Sequence, residues 1–188
     1  MSKITSLLLI AASALLVGSP VITQSALGQA AKAPAARKSP HETVNVRLGE
    51  ERTLVSLTYG RPYSNKREIW GKLVPWDKAY RLGADEATLL LSAKPLTIGG
   101  QRIPAGAHTL YMVPSSTGAS KLVVSKHIGK WGVPVDESQD VVRVDLKKGS
   151  LAAPVDQLTI ALEKEGTGGL LKIMWENTQY SVPFAVAK

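Results

Sequence analysis

Apolar and polar residues alternate with a period of two in four short stretches of this chain. In the first stretch, Val55, Leu57 and Tyr59 alternate with Ser56 and Thr58. The other three stretches lie at residues 142–146, 158–162 and 171–175. Strict alternation is typical of β-strands that turn one face toward a core and the other toward solvent. We therefore expect strands at all four places.

Turn-forming residues separate these stretches from further short apolar runs. Glycines at 99–100 and 166–169 predict hairpins, residues 104–106 predict a turn, and Asn177 with Thr178 is expected to join two more strands. Eight to ten short strands result, with one or two helical turns near 64–73 and 136–139. The pattern predicts an all-β fold: a single-domain antiparallel β-sandwich over residues 44–188, with a long irregular segment around residues 60–85.

The first residues have the layout of a signal peptide. Lys3 supplies a positive start, residues 4–17 are mostly apolar, and small residues at 28–30 offer a cleavage site. The apolar run is shorter than the roughly 20 residues that a membrane-spanning helix needs. We expect residues 1–30 to be removed on export and residues 31–43 to form a disordered leader. The mature protein is then expected to be periplasmic or secreted, with no membrane span.

Composition excludes several kinds of site. The chain has no cysteine, which removes thiol catalysis and thiolate metal ligands. Its three histidines, His41, His108 and His127, are far apart in sequence, so we expect neither a metal site nor a cofactor. His108 shares the parity of Leu110 and Met112 in a predicted strand and is expected to be a structural residue. The common hydrolase, phosphate-loop and zinc-protease motifs do not occur.

The charge of the chain is basic, with a formal net charge of +8. Residues 91–130 contain five basic residues and no acidic one. Such a surface can attract anionic polymers or lipid head groups, although a solvated surface that keeps the protein soluble is the simpler interpretation. Nucleic acid is not expected as a partner, because export is predicted and no binding motif occurs.

Residues 59–86, called here the aromatic-arginine segment, contain five of the ten aromatic residues of the chain. Guanidinium groups bind carboxylates and phosphates at two points and stack on aromatic rings, so we expect a ligand site in this segment. Its predicted members are three arginines for an anionic group, three aromatic rings as stacking or packing surface, and one glutamate that orients an arginine: Arg61, Arg67, Arg81, Tyr59, Trp70, Trp76 and Glu86. The leading hypothesis is a non-catalytic binding or interaction module for an anionic ligand of the cell envelope, such as a carboxylated glycan, or for a protein partner.

Three other roles stay open. In the first, the arginines pair with Glu68, Asp85 and Glu86 and the segment ties the fold together. In the second, the protein is a hydrolase with Glu86 or Asp85 as general base, which requires a raised pKa in a cleft. In the third, it is a scaffold subunit that uses an exposed edge strand. Exposed arginines that converge indicate a site, whereas buried and mutually paired arginines indicate architecture.

The aromatic-arginine segment also carries a family resemblance. It reads Tyr59, Arg61-Pro62, Arg67, Ile69-Trp70-Gly71, Leu73-Val74-Pro75-Trp76, Tyr80-Arg81 and Gly83-Ala84-Asp85-Glu86-Ala87-Thr88. This arrangement resembles the bacterial domain-of-unknown-function family 2911, and the resemblance extends over most of residues 44–186. The chain departs from the family pattern at Tyr80, Asp85 and His108. The resemblance implies an exported β-rich domain and carries no activity, substrate or cofactor with it.

Overall fold

Two antiparallel β-sheets pack against each other in the computed structural model, which describes residues 37–188. The predicted signal peptide and residues 31–36 of the predicted leader lie outside the described residues. The strands are β1 (His41–Leu48), β2 (Thr53–Gly60), β3 (Thr88–Ser92), β4 (Leu96–Ile98), β5 (Gln101–Ile103), β6 (Gly106–Val113), β7 (Lys121–Ser125), β8 (Asp140–Asp145), β9 (Lys147–Glu165) and β10 (Gly168–Val186).

The strands form one sheet of six and one of four. The six-stranded sheet has the order β1-β2-β3-β6-β7-β8, and the four-stranded sheet has the order β5-β4-β10-β9. The predicted all-β sandwich is therefore confirmed. One part of the expected boundary needs correction: β1 begins at His41, so residues 41–43 belong to a strand and not to a disordered leader.

Glycine residues form the turns of two predicted hairpins. Gly99 and Gly100 connect β4 to β5, and the turn at Gly166 connects the two 19-residue strands β9 and β10. The expected turn at Asn177 and Thr178 was wrong, because both residues lie inside β10. The pairing register with β9 shifts on both sides of Glu176, which has a φ of 50°. A bulge thus accommodates polar residues that would otherwise signal a turn.

The core lies between the two sheets and is built from alternate strand positions. Val55, Leu57 and Tyr59 are at most 1% exposed, as the period-two pattern predicts. The four-stranded sheet contributes Ile173 and Trp175, both fully buried. Burial of a large apolar side chain stabilises the fold by about 1.5–3 kcal/mol, so packing alone can hold this cysteine-free domain together.

The predicted irregular segment is confirmed between β2 and β3. Residues 61–87 contain turns and isolated bridges but no strand, and the helical turn expected near 64–73 is absent from this described part of the chain. The second helical turn, expected near 136–139, is present as a 3-10 turn at Glu137–Gln139. The segment returns to its starting point, because Ala84 N–H donates to the Gly60 carbonyl at 3.2 Å. A Cβ on Gly60 would lie 2.1 Å from the Ala84 oxygen, so this approach requires glycine.

The first residues of the irregular segment cover the free edge of β9, an outer strand of the four-stranded sheet. The Ser64 N–H donates to the Asp156 carbonyl at 2.7 Å, and the Leu158 N–H donates to the Pro62 carbonyl at 2.9 Å. Unpaired backbone groups at a sheet edge are open to pairing with other chains. The segment therefore serves as a partial eleventh strand that protects this edge.

Tyr59, which lies in β2 of the six-stranded sheet, also forms hydrogen bonds with the edge strand β9. Its buried hydroxyl accepts the Ile160 N–H at 2.7 Å and donates to the Glu42 carboxylate at 2.9 Å. Burial raises the pKa of this hydroxyl above its ordinary value, so it stays protonated and able to donate. Tyr59 thus joins the two sheets by a hydrogen bond as well as by packing.

We expect Tyr59→Phe to lower the free energy of unfolding by about 1–3 kcal/mol, because the Ile160 N–H would remain buried without an acceptor. Urea unfolding followed by tryptophan fluorescence measures the change. Tyr63→Phe is the matched control, since Tyr63 is 41% exposed, and should change the stability by less than about 0.5 kcal/mol. Equal stabilities of the two variants would contradict the role assigned to the Tyr59 hydroxyl.

Candidate functional site

Arg61 is held by the protein itself. Its Nε donates to the Leu158 carbonyl at 3.2 Å and its Nη2 donates to the Thr159 hydroxyl at 2.8 Å. The Glu42 carboxylate lies 3.2 Å from the same Nε, and the side chain is only 23% exposed. These contacts place the guanidinium on the covered edge of β9. Arg61 is therefore tied into the fold, but its carboxylate partner is Glu42 and none of the three that the structural alternative named.

The aromatic side chains of the predicted site pack rather than line an open surface. Tyr59 is buried between the sheets. Trp70 stacks on Trp76 with the ring centres 6.4 Å apart and meets Tyr180 edge-on at 5.1 Å. The Lys148 ammonium lies 5.6 Å from the centre of the Trp76 ring. These half-buried indoles close one end of the sandwich.

Glu86 is paired with an arginine outside the aromatic-arginine segment. Arg37 forms a two-point ion pair with its carboxylate, in which Nη2 lies 2.6 Å from Oε1. The hydrogen bond from Arg37 holds the pKa of Glu86 at about 2, well below the ordinary value of 4.5. Asp85 shares these neighbours, with Oδ2 3.6 Å from Arg37 Nη1 and 3.5 Å from His41 Nε2. The two carboxylates thus serve as counter-ions for the residues that precede and begin β1.

Arg67 and Arg81 line one open cleft of about 520 Å³, called here the arginine cleft. Arg67 donates to the carbonyls of Ser64 at 2.9 Å and Tyr63 at 2.7 Å. Arg81 donates to the Asp85 carbonyl at 2.9 Å. Within residues 37–188, neither guanidinium forms an ion pair with a carboxylate. Two positively charged residues therefore line the same cleft, and neither has an ion-pair partner among the described residues.

The arginine cleft contains residues that sequence reasoning missed. Lys38 lines it, although the sequence assigned that residue to the leader, and so do Tyr63, Tyr80 and the carboxylate residue Asp85. The residues that line the opening thus include three basic ones, Lys38, Arg67 and Arg81, and the acidic residue Asp85. The sequence carries no local signal for Lys38, because this residue reaches the cleft through contacts with distant parts of the chain.

The histidines remain separate in the structure. His108 is 4% exposed on the inner face of β6, and burial lowers its pKa below the ordinary value. His41 lies beside Asp85 and Glu86, and His127 lies near the end of β7. Among the described residues, no cluster of three ligating side chains has the geometry to hold a metal ion. Nor does this part of the chain contain a helix with the length and apolar character to cross a membrane.

The fold and the cleft define an all-β sandwich domain with a basic opening beside its long connecting segment. The family model described as "Protein of unknown function (DUF2911)" matches residues 39–184, and the chain belongs to this family. Comparison with curated proteins and with solved structures returned no match.

We expect Arg61→Ala to lower the free energy of unfolding by about 1–3 kcal/mol, because the Leu158 carbonyl and the Glu42 carboxylate would lose a charged donor. Chemical denaturation measures the loss. Arg47→Ala is the matched control: it removes the same charge from β1, where Arg47 donates only to the Arg52 carbonyl within the described residues. An Arg61→Ala protein as stable as Arg47→Ala would contradict a structural role for Arg61.

We expect Arg37→Ala to raise the pKa of Glu86 from about 2 toward 4.5, because the hydrogen bond that holds it low is removed. A lowered pKa means that the pair stabilises the fold above about pH 4.5 and loses this effect as the pH falls toward about 2. NMR titration of the side-chain carboxyl carbon measures the pKa. Lys38→Ala removes the same charge one residue away and should leave the titration of Glu86 unchanged. A low pKa that persists in Arg37→Ala would contradict the assignment.

Proposed function

We propose that this domain is a non-catalytic binding module that captures an anionic group in the arginine cleft. The observation that carries the proposal is the pair of guanidinium groups, Arg67 and Arg81, that line one opening without an ion-pair partner in residues 37–188. The predicted export of the chain favours a ligand of the cell envelope, either an anionic small molecule or glycan or an anionic group on a protein partner.

The hydrogen bonds of the two arginines support this use. Arg67 donates to backbone carbonyls through Nε and Nη2, which leaves Nη1 uncommitted within the described residues. Arg81 donates through Nη1, which leaves Nε and Nη2. Uncommitted N–H groups on an oriented guanidinium can bind a carboxylate or phosphate at two points. Because the backbone already orients both side chains, little side-chain freedom is lost on binding.

The remaining residues of the predicted site have other tasks in this proposal. Arg61 and Tyr59 stabilise the covered edge of β9, while Trp70 and Trp76 pack at one end of the sandwich. Glu86 pairs with Arg37 and not with an arginine of the predicted site. The ligand-contacting set is therefore Arg67 and Arg81, with Lys38 at the rim of the same cleft.

The properties of the carboxylates favour binding over hydrolysis. A general base works best when its pKa lies near the working pH. The pKa of Glu86 is shifted in the opposite direction, to about 2, by its hydrogen bond to Arg37. Asp85 lies within 3.6 Å of the same arginine. The surroundings of Glu86 thus favour its charged form, which serves as a counter-ion for Arg37.

The proposal is tested by titrating the purified full chain with tetragalacturonate and, separately, with inorganic polyphosphate. We expect at least one of these anions to bind, with affinity that falls as salt is added. Arg67→Ala and Arg81→Gln should each weaken that binding by about tenfold or more, which corresponds to the loss of one charged hydrogen bond. Isothermal titration calorimetry measures the affinities, and the two anions distinguish carboxylate from phosphate recognition.

Two variants serve as controls for this experiment. Arg47→Ala removes one positive charge far from the arginine cleft, and Arg61→Ala removes one from the edge of β9; both should bind as the unmodified chain does. The proposal is wrong if neither anion binds the unmodified chain. It is equally wrong if Arg67→Ala and Arg81→Gln bind no more weakly than Arg47→Ala.

A further inference from the structure

A second open cleft, of about 470 Å³, lies next to the arginine cleft. It is lined by Arg37, His41, Thr58, Glu86, Lys130 and Trp131, and we call it the tryptophan cleft. Consecutive residues divide between the two openings. Lys38 and Asp85 line the arginine cleft, whereas their chain neighbours Arg37 and Glu86 line the tryptophan cleft. The two clefts therefore share a wall.

Arg81 connects the two clefts across this wall. It lines the arginine cleft, and its Nη1 also donates to the Trp131 carbonyl at 3.3 Å. Its guanidinium carbon lies 5.5 Å from the centre of the Trp131 ring, within the range of a cation–π contact. A group bound at Arg81 is thus one side chain away from the Trp131 indole.

Trp131 is the most exposed large apolar side chain of the described residues, at 55%. Its backbone is nevertheless held in place. The Ala87 N–H donates to the Lys130 carbonyl at 3.2 Å, and Arg81 holds the carbonyl of Trp131 itself. The next residue, Gly132, has a φ of 89°, and a Cβ there would lie 3.0 Å from the Arg81 Cβ and 3.1 Å from the Ala87 Cα. A large indole is therefore presented to solvent by a close-packed loop, which lowers the entropy lost on binding.

The polar groups beside the indole supply donors and acceptors together. The paired Arg37 and Glu86 place guanidinium N–H groups next to carboxylate oxygens, with Nη2 and Oε1 2.6 Å apart. A sugar unit matches this combination, because its hydroxyls both donate and accept while its C–H face can lie on an aromatic ring. A phosphate chain has no such apolar face. Around the two clefts, five basic and two acidic side chains leave a surplus of three positive charges.

We infer that the ligand is an acidic oligosaccharide of at least two units that spans both clefts. The carboxylate of one unit binds Arg67 and Arg81, and the neighbouring unit stacks on Trp131 while its hydroxyls contact Arg37 and Glu86. This inference rests on the proposed function and adds to it the class of ligand and a second subsite that recognises the sugar ring.

The length of the ligand tests the inference with the purified full chain. We expect tetragalacturonate to bind more than about tenfold more tightly than monomeric galacturonic acid, because the monomer reaches only the arginine cleft. The several carboxylates of the tetramer alone would give a statistical factor of about four. Trp131→Leu should weaken tetragalacturonate binding by about five- to tenfold and leave the monomer unaffected. Trp131→Phe should retain most of the preference for the tetramer.

The matched control is Ile128→Ala, which shortens another exposed apolar side chain of the same loop and should bind tetragalacturonate as the unmodified chain does. Equal binding of tetragalacturonate by Trp131→Leu and the unmodified chain overturns the inference. If Arg67→Ala still weakens the binding of tetragalacturonate in that case, the proposed function stands and only the further inference is lost. Two results with polyphosphate also overturn the inference. One is that the unmodified chain binds polyphosphate but not tetragalacturonate. The other is that Trp131→Leu loses as much affinity for polyphosphate as for tetragalacturonate, because stacking on a sugar would then not explain the effect of Trp131.

Discussion

The covered edge of β9 is the constraint on which the rest of this structure depends. Outward-facing backbone groups at Asp156 and Leu158 find partners in the chain that follows β2, and the Ile160 N–H donates to the Tyr59 hydroxyl near the end of β2. That chain must leave the six-stranded sheet at Gly60 in order to reach them. The later residues of the irregular segment, including those around the arginine cleft, start from this departure and are then held by their own contacts, such as the pairing of Tyr80 with Met112.

The aromatic-arginine segment therefore has two parts with different tasks. Its first residues, 59–64, tie the sheets together and use Arg61 for that purpose. Its later residues carry Arg67 and Arg81 to the surface, where backbone carbonyls orient them. The structural interpretation of the sequence describes the first part, and the proposed binding role concerns the second part. The difference between the arginines arises from position: Arg61 lies beside an unpaired strand edge, whereas the other two lie beside open loops.

Local signals predicted the sandwich well, because alternation and glycine turns act over a few residues. Asn177 and Thr178 were misleading, since a bulge can keep a polar pair inside a strand. The pairing of Tyr59 with Ile160 joins residues 101 positions apart, and no local pattern reports such a contact. Lys38 and Trp131 reach their clefts by the same kind of long-range contact. Sequence reasoning thus pointed to the segment that carries Arg67 and Arg81, whereas the other residues that line each cleft depended on tertiary structure.

The contact between Gly60 and Ala84 has a consequence for how this domain can diversify. The 23 residues from 61 to 83 lie between these two residues, and they also meet the sheet at Tyr80, which pairs with Met112. Doubling the length of a flexible loop costs only about 0.6 kcal/mol of closure entropy. Insertions are therefore best tolerated at the exposed turn of Asn65 and Lys66, whereas Ile69, Val74 and Leu82 are fully buried in the core and fix the rest of the connection. Changes at such exposed positions can alter the surface beside the arginine cleft while the buried residues of the connection, and with them the stability of the fold, are left in place.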